Sequence, residues 1–162
     1  MTSGSGHDVI LTSKRGQSCY VSLHYFSGKL GKVWLRKPVG CLCCEDKVFV
    51  SDYDAHLINV YNVSDGRFLY EFGRHGTVDV RLNEPIGLAV DKERHLLVCS
   101  GYSFDNPHRI LVYTLDGKFV TMFGGLRGRG LGQFIVPTSV TVLRSGRLVV
   151  CEFENCRLQM FE

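Results

Sequence analysis

With 162 residues, 44% of them hydrophobic and 22% charged, the chain has the composition of a single globular domain and not of a disordered, collagenous or coiled-coil protein. Its apolar runs fall far short of the roughly 20 residues that span a bilayer, and the small polar start Met1–Gly6 lacks a secretory h-region, so no membrane span is expected and the cytoplasm is the expected compartment. A net charge of +3 is too small to indicate nucleic acid by itself, which moves attention to where the charges lie.

In chain order, residues 1–7 read as a flexible lead. From residue 8 onward the sequence repeats. The best copies run through Lys47–Gly73 and His95–Gly124, and a shorter one runs from Arg147 to Glu162. Each is preceded by a related start, "PVGCLCC" at Pro38, "PIGLAVD" at Pro85 and "PTSVTV" at Pro137, with the prolines 47 and then 52 residues apart. A shift of 38 residues lays Ile10–Ser13 on Val48–Ser51 and Gly28–Trp34 on Gly66–Phe72, which marks a fourth copy at the front. A period of this size denotes one supersecondary unit stacked on its neighbours.

The unit is made of strands. "KVFVS", "LINVY", "RFLYEF", "RILVYT" and "RLVVCE" are short and rich in β-branched and aromatic residues. Between them lie "SDG" (64–66), "LDG" (115–117) and "RSG" (144–146), where glycine supplies the positive φ of a tight hairpin. Several strands are apolar on successive positions, as expected of a sheet covered on both faces. Four strands per copy predict three, four, four and three strands along the chain. This is an all-β propeller segment with blades at about 8–34, 38–73, 85–124 and 137–162, the first and last incomplete.

Seven cysteines (19, 41, 43, 44, 99, 151 and 156), an odd number without a leader sequence, predict reduced thiols. Cys41-x-Cys43-Cys44 has no second pair at zinc spacing and reads as small buried strand residues, so no metal or other cofactor is expected.

The strings "PIGLAVD" (85–91), "NPHRILVY" (106–113), "DGKFVTMFG" (116–124) and the connector "GRGLGQFIVP" (128–137) resemble the NHL repeat. The resemblance covers about Val9 to Glu162. Its signature triplet is degenerate here: Ala55-His56-Leu57, Pro107-His108-Arg109 and Asn155-Cys156-Arg157. WD40 and kelch patterns fit worse, since the single tryptophan, Trp34, has no aspartate after it. The resemblance is to the C-terminal recognition domain of TRIM-NHL ubiquitin ligases. It implies a non-catalytic scaffold that binds a protein partner or single-stranded RNA. No RING or B-box cysteine and histidine sets occur in this sequence, so a part in ubiquitination is expected only through a longer protein or a partner. The alternative within such propellers is a metal-dependent enzyme of the amidating-lyase or lactonase type. Against it, the innermost strands offer one ionisable residue, Asp91, while His56 and His108 are expected to hold loops by hydrogen bonds.

Charge divides between the two rims. The links between copies carry Arg36, Lys37, Arg74, Arg81, Arg127 and Arg129 against Asp79 and Glu84. The loops on the same rim add Lys14 and Arg15 with the aromatics Tyr53, Tyr102, Phe104 and Phe153. Arginine beside aromatic rings suits phosphate contact and base stacking, and equally a protein hot spot. These twelve residues are the candidate binding site, with a protein partner favoured by the modest net charge. The incomplete end blades predict a segment of a larger ring, of about six blades as the resemblance implies, or self-association with another chain.

Overall fold

The computed structural model describes residues 9–15, 18–24, 32–74 and 80–162, and of residues 9–34 only the backbone is described. The flexible lead expected at 1–7 lies outside these residues. Among the described residues, fourteen strands form four antiparallel sheets in chain order. The first blade holds β1 (Val9–Arg15), β2 (Ser18–His24) and β3 (Lys32–Leu35). The second holds β4 (Pro38–Cys44), β5 (Lys47–Asp52), β6 (Leu57–Asn62) and β7 (Phe68–Phe72). The third holds β8 (Leu88–Val90), β9 (His95–Ser100), β10 (Arg109–Thr114) and β11 (Phe119–Gly124). The fourth holds β12 (Pro137–Val142), β13 (Leu148–Glu152) and β14 (Arg157–Phe161). The arrangement is an all-β partial propeller, three, four, four and three strands as the repeat predicts.

Local chemistry explains the hairpins. At β10–β11, Gly117 has φ +85 and its N–H donates to Thr114 O at 2.9 Å, while Thr114 N–H donates to Lys118 O at 2.9 Å. A side chain at that φ would be strained, so the Asp-Gly pair fixes the register on either side. In the second and third blades the middle strands are buried almost throughout: β5, β6, β9 and β10 each have one partly exposed end residue at most. Burial on both faces is why these strands are apolar without alternation.

The blades pack face to face. Phe49, Ile58 and Val60 of the second blade meet Leu96, Val98, Leu111 and Tyr113 of the third. Leu97, Cys99, Ile110 and Val112 on the other side of the third blade meet Val140, Val150 and Phe161 of the fourth, around the buried ring of Phe134. The innermost strands run beside one another, β8 flanked by β4 and β12. The first blade begins one strand further out, since β1 lies beside β4 as β9 lies beside β12. Cys41 and Cys43 are exposed and only Cys44 is half-buried, contrary to the expectation of a buried cluster. In a strand the two odd positions face away from the third blade, toward a neighbour that lacks an innermost strand among the described residues.

Backbone-to-backbone proximity sets the inner packing. A Cβ on Gly40 would lie 2.4 Å from Ile86 O, and one on Gly87 would lie 2.6 Å from Thr138 O and 2.8 Å from Ser139 Cα. Since the obstruction is backbone, the blades would have to separate. Gly87→Ala is therefore expected to cost about 1–3 kcal/mol, as overpacking in a tight core does. A urea titration checks this, and an unchanged midpoint would show that the inner strands are not closely packed.

Candidate functional site: the loop rim

One rim carries the links between blades together with the turns between each blade's second and third strands. The links are held by an interaction that recurs in three blades. At the end of each second strand stands a side-chain acceptor: Asp52, Ser100 and Glu152, all buried. Each accepts the backbone N–H of the residue two before the proline that leads into its own blade. Arg36 N–H donates to Asp52 Oδ2 at 2.8 Å, Asn83 N–H to Ser100 Oγ at 2.9 Å, and Ile135 N–H to Glu152 Oε2 at 2.9 Å.

The signature triplet completes the hold in both directions. His56 Nδ1 accepts Glu84 N–H at 3.0 Å, and His108 Nδ1 accepts Val136 N–H at 2.6 Å. Each histidine thus reaches the link that follows its own blade. Glu84 and Val136 have φ of 48 and 54, a conformation that a β-branched residue such as valine adopts only when held. The arginines reach the link that precedes their blade. Arg109 Nη2 donates to Arg81 O at 2.9 Å, and Arg157 Nη2 donates to Gln133 O at 2.9 Å and Gly130 O at 3.1 Å.

Glu152 is the centre of a small network. Its carboxylate also accepts Arg157 Nε at 2.7 Å, Gln159 Nε2 at 2.8 Å and Asn155 Nδ2. Burial pushes its pKa up, but the hydrogen bonds from Ile135 N–H, Arg157, Gln159 and Asn155 outweigh it and hold the carboxyl below the usual range. His108 is held below the ordinary histidine value by burial and by the nearby Arg127 charge.

On this frame the exposed cations gather. Arg36, Arg74 and Arg81 line a groove of about 360 Å3 together with Asp54, His56 and Asn83. Beside it, Lys37 Nζ sits 4.1 Å from the Tyr53 ring centroid and 3.9 Å from Asp54 Oδ1. Tyr53 packs edge-on against Tyr102, with centroids 5.8 Å apart. Glu84 accepts Ser103 N–H at 2.6 Å, and with it Ser103 Oγ and Asn106 Nδ2, which ties the second blade's link to the third blade's turn. Further along, Arg127 Cζ lies 4.2 Å from the Phe104 ring centroid.

The twelve expected residues therefore divide. Arg36, Arg74 and Arg81 share the groove; Lys37, Tyr53 and Tyr102 form one stack; Phe104 and Arg127 form another. The backbone carbonyl of Arg129 accepts from Arg157, and Phe153 is 61% exposed on the β13–β14 turn beside Cys156 and Leu158. Lys14 and Arg15 end β1, where their backbones pair with Cys19 and Ser18 and not in a loop; their side chains lie outside the described residues, as does Asp79. His56, Asn83 and Glu84 were not among the expected site residues. Their signal was present in the sequence, a triplet histidine and the two residues before Pro85. The opposite rim carries Glu45, Asp46, Asp65, Asp91, Glu93 and Asp116 at the other turns. Among the described residues no group of three or more His, Cys, Asp or Glu is placed to hold a metal ion, and Asp91 instead accepts His95 N–H at 2.7 Å.

Comparison with known proteins agrees with this architecture. Residues 134–161 match the family model of the NHL repeat. Over 118 residues, 73% of the chain, the sequence is 30% identical to protein brain tumor of Drosophila melanogaster. Over 68 residues, 42% of the chain, it is 40% identical to RING finger protein nhl-1 of Caenorhabditis elegans. The aligned parts span only 10% and 6% of those two proteins. In shape, 97% of the chain superposes on 54% of a streptogramin B lyase chain with a TM-score of 0.61 at 16% identity. Glutaminyl cyclase of Myxococcus xanthus gives 0.53 at 12% identity, with 98% of this chain on 76% of that one. Likeness to these enzymes at such identity is a likeness of fold. The blades and their links define a β-propeller segment built from NHL repeats. The chain belongs to the NHL-repeat family, and its repeats are those of a TRIM-NHL-like NHL domain.

Both titrating anchors oppose acid. The folded pKa of Glu152 lies below its unfolded value near 4.3, so its contribution is complete above that value and is lost as pH falls through the folded pKa. His108 is held neutral, so its contribution is complete above about 6.5 and fades below. Urea midpoints are expected to be flat near neutrality and to fall in two stages toward acid. Glu152→Gln should cost about 1–3 kcal/mol at pH 7 by unbalancing a buried network and should shrink the lower stage without removing it, since Glu84 and Asp116 are also held below the usual carboxylate range. Retention of the full lower stage in that variant would assign it to another carboxylate.

Proposed function

We propose that this chain is a non-catalytic interaction module whose basic loop rim holds an acidic protein segment. The observation that supports this most is the convergence of Arg36, Arg74 and Arg81 on one groove, whose wall also holds Asp54, His56 and Asn83, three guanidinium groups against one carboxylate. Guanidinium groups pair with carboxylates in a fixed, two-pronged geometry, which gives register as well as attraction. The neighbouring rings favour protein over RNA. Tyr53 carries Lys37 over its ring and Tyr102 at an angle beside it, and Phe104 carries Arg127. Ring faces already taken by the protein's own cations are poorer platforms for stacked bases, while their exposed edges suit apolar side chains flanking the acids. The exposures of Tyr102 (43%) and Phe104 (54%) fit such a use. In this reading the module works in the cytoplasm, and any part in ubiquitin transfer comes through a longer chain or a partner that supplies the transfer machinery.

The test is fluorescence anisotropy with labelled acidic peptides that include apolar residues, lysine-substituted counterparts and a short single-stranded RNA, each at several salt concentrations. Acidic peptides are expected to bind, with affinity falling as salt rises. The triple variant Arg36→Ala/Arg74→Ala/Arg81→Ala should weaken binding about tenfold or more, since each charged contact contributes about 0.5–1 kcal/mol or more at a partly enclosed site. Tighter binding of the RNA, lost in Phe104→Ala, would replace the protein reading with an RNA one. Indifference of peptide binding to the triple variant would move the site elsewhere.

A further inference from the structure

Beside the rim groove a second cavity, of about 240 Å3, lies against the second blade. The two share Arg36, Ala55 and Arg74, so the pocket is reached from the groove. Leu35 and Leu57 give it apolar walls, and Asn59 lines it as well. Asn59 is only 7% exposed, yet among the described residues its amide has no hydrogen-bond partner. A buried amide in that state costs stability, and buried polar groups are normally satisfied. An open amide at the wall of a cavity therefore points to a partner from outside the chain.

The repeat shows what an amide at this position does when it has a partner. Strand registers pair Val50 with Asn59, Val98 with Leu111 and Val150 with Gln159, which makes Asn59, Leu111 and Gln159 equivalent. Gln159 grips the long link before the fourth blade with both ends of its amide. Its Oε1 accepts Gly132 N–H at 3.1 Å and its Nε2 donates to Gln133 O at 2.8 Å. The third blade dispenses with the amide, and Leu111 is fully buried in the seam. Before the second blade the link is residues 36–37 alone, and no peptide group of it bonds to Asn59. The second blade thus has the amide without the link that would satisfy it.

The charges around the pocket select what can fill it. Arg36 and Arg74 line it together with Asp52 and Glu71, two cations and two carboxylates. Asp52 already accepts the N–H groups of Arg36, Lys37 and Ala55, and Glu71 pairs with Arg74 at 3.9 Å. A charged side chain entering here would meet a group of its own sign in a partly enclosed space, which is costly. An uncharged amide avoids that cost, and its carbonyl and NH2 match the NH2 and carbonyl of Asn59.

We propose that this pocket reads an uncharged amide side chain, a glutamine or an asparagine, of the protein segment held in the groove, with Asn59 as the residue that recognises it. The inference rests on the proposed function, since the groove brings the segment to the pocket. It adds a requirement that charge alone does not impose. The arginines attract and orient the segment, and the amide pair sets its position along the rim.

The experiment is fluorescence anisotropy with a labelled peptide of alternating glutamate and leucine, and with variants in which glutamine or asparagine replaces one residue at a time. An amide at one position is expected to tighten binding about fivefold or more, as one or two satisfied hydrogen bonds supply. Asn59→Leu, which installs the residue of the third blade, and Asn59→Ala should both remove that gain and leave the parent peptide within about twofold. The urea midpoint of Asn59→Leu should stay level or rise, because an unpartnered amide leaves the interior. A scan without a gain at any position, a gain that survives both variants, or a midpoint that falls in both overturns the proposal while the groove reading stands. Absence of binding by every peptide overturns both. Binding of a short single-stranded RNA that both variants abolish assigns the pocket to a base edge and likewise overturns it.

Discussion

The rim of this protein depends on buried acceptors that fasten backbone links. A link between propeller blades has no ladder of its own to satisfy its peptide groups, yet it must lie against the hydrophobic seam where two blades meet. Asp52, Ser100 and Glu152 resolve this by accepting link N–H groups, two at Asp52 and one each at Ser100 and Glu152, at the point where the chain turns into the innermost strand. Each acceptor is the last residue of a strand with a largely apolar middle, so the polar group sits at the edge of the core and is satisfied from above. A hydrogen bond of this kind contributes little net energy when made, but a buried carboxylate or N–H left unpaired would cost more than most single contacts supply. The conformation of each link is therefore determined by a few side chains that it does not itself carry.

That constraint sets what the surface can do. Arg36 and Lys37 occupy the two positions whose N–H groups Asp52 holds. Arg81 has its carbonyl held by Arg109, and Asn83 is fixed to Ser100. Backbones at the groove are thus rigid while the cationic ends extend outward. Glu84 adds a lateral tie, since its hydrogen bonds to Ser103 and Asn106 outweigh the cost of burial and keep it ionised. Exposed ion pairs such as Arg74–Glu71 at 3.9 Å contribute little to stability.

The strands were legible because their causes are local. Asp116-Gly117 and Ser145-Gly146 mark hairpins, and successive apolar positions in "LINVY" and "RILVYT" mark strands with both faces buried. The clamps were less legible, because their partners lie about one blade away. His56 with Glu84, His108 with Val136 and Arg109 with Arg81 are each separated by 28 residues. The repeat period hinted at the pairing, but nothing in composition says whether a triplet histidine turns to its own loop or to the next link. The cysteine trio was misread for a related reason. Residues 41 and 43 have the pattern of a buried strand, and their exposure reflects the neighbour that they face, which has no innermost strand among the described residues. The groove was half legible: its arginines stood out as charge, whereas His56 and Asn83 acquire their place only once the links are folded onto the rim.

The triplet arginine shows how closely link length and anchor are matched. The links before the third and fourth blades are long, residues 73–87 and 125–136, and each is gripped by an arginine at the start of the blade's third strand, Arg109 and Arg157. Before the second blade the link is only residues 36–37, and Asp52 alone takes both of its N–H groups, at 2.8 and 2.9 Å. Lys37 O there already accepts Tyr53 N–H at 2.9 Å, and the position equivalent to Arg109 and Arg157 is Leu57, buried and apolar. A guanidinium at that position would be a charge without a partner in the seam, which is more costly than the leucine it would replace. The degeneracy of the repeat signature is thus a consequence of geometry: the arginine occurs where a long link offers carbonyls and gives way where a short one does not.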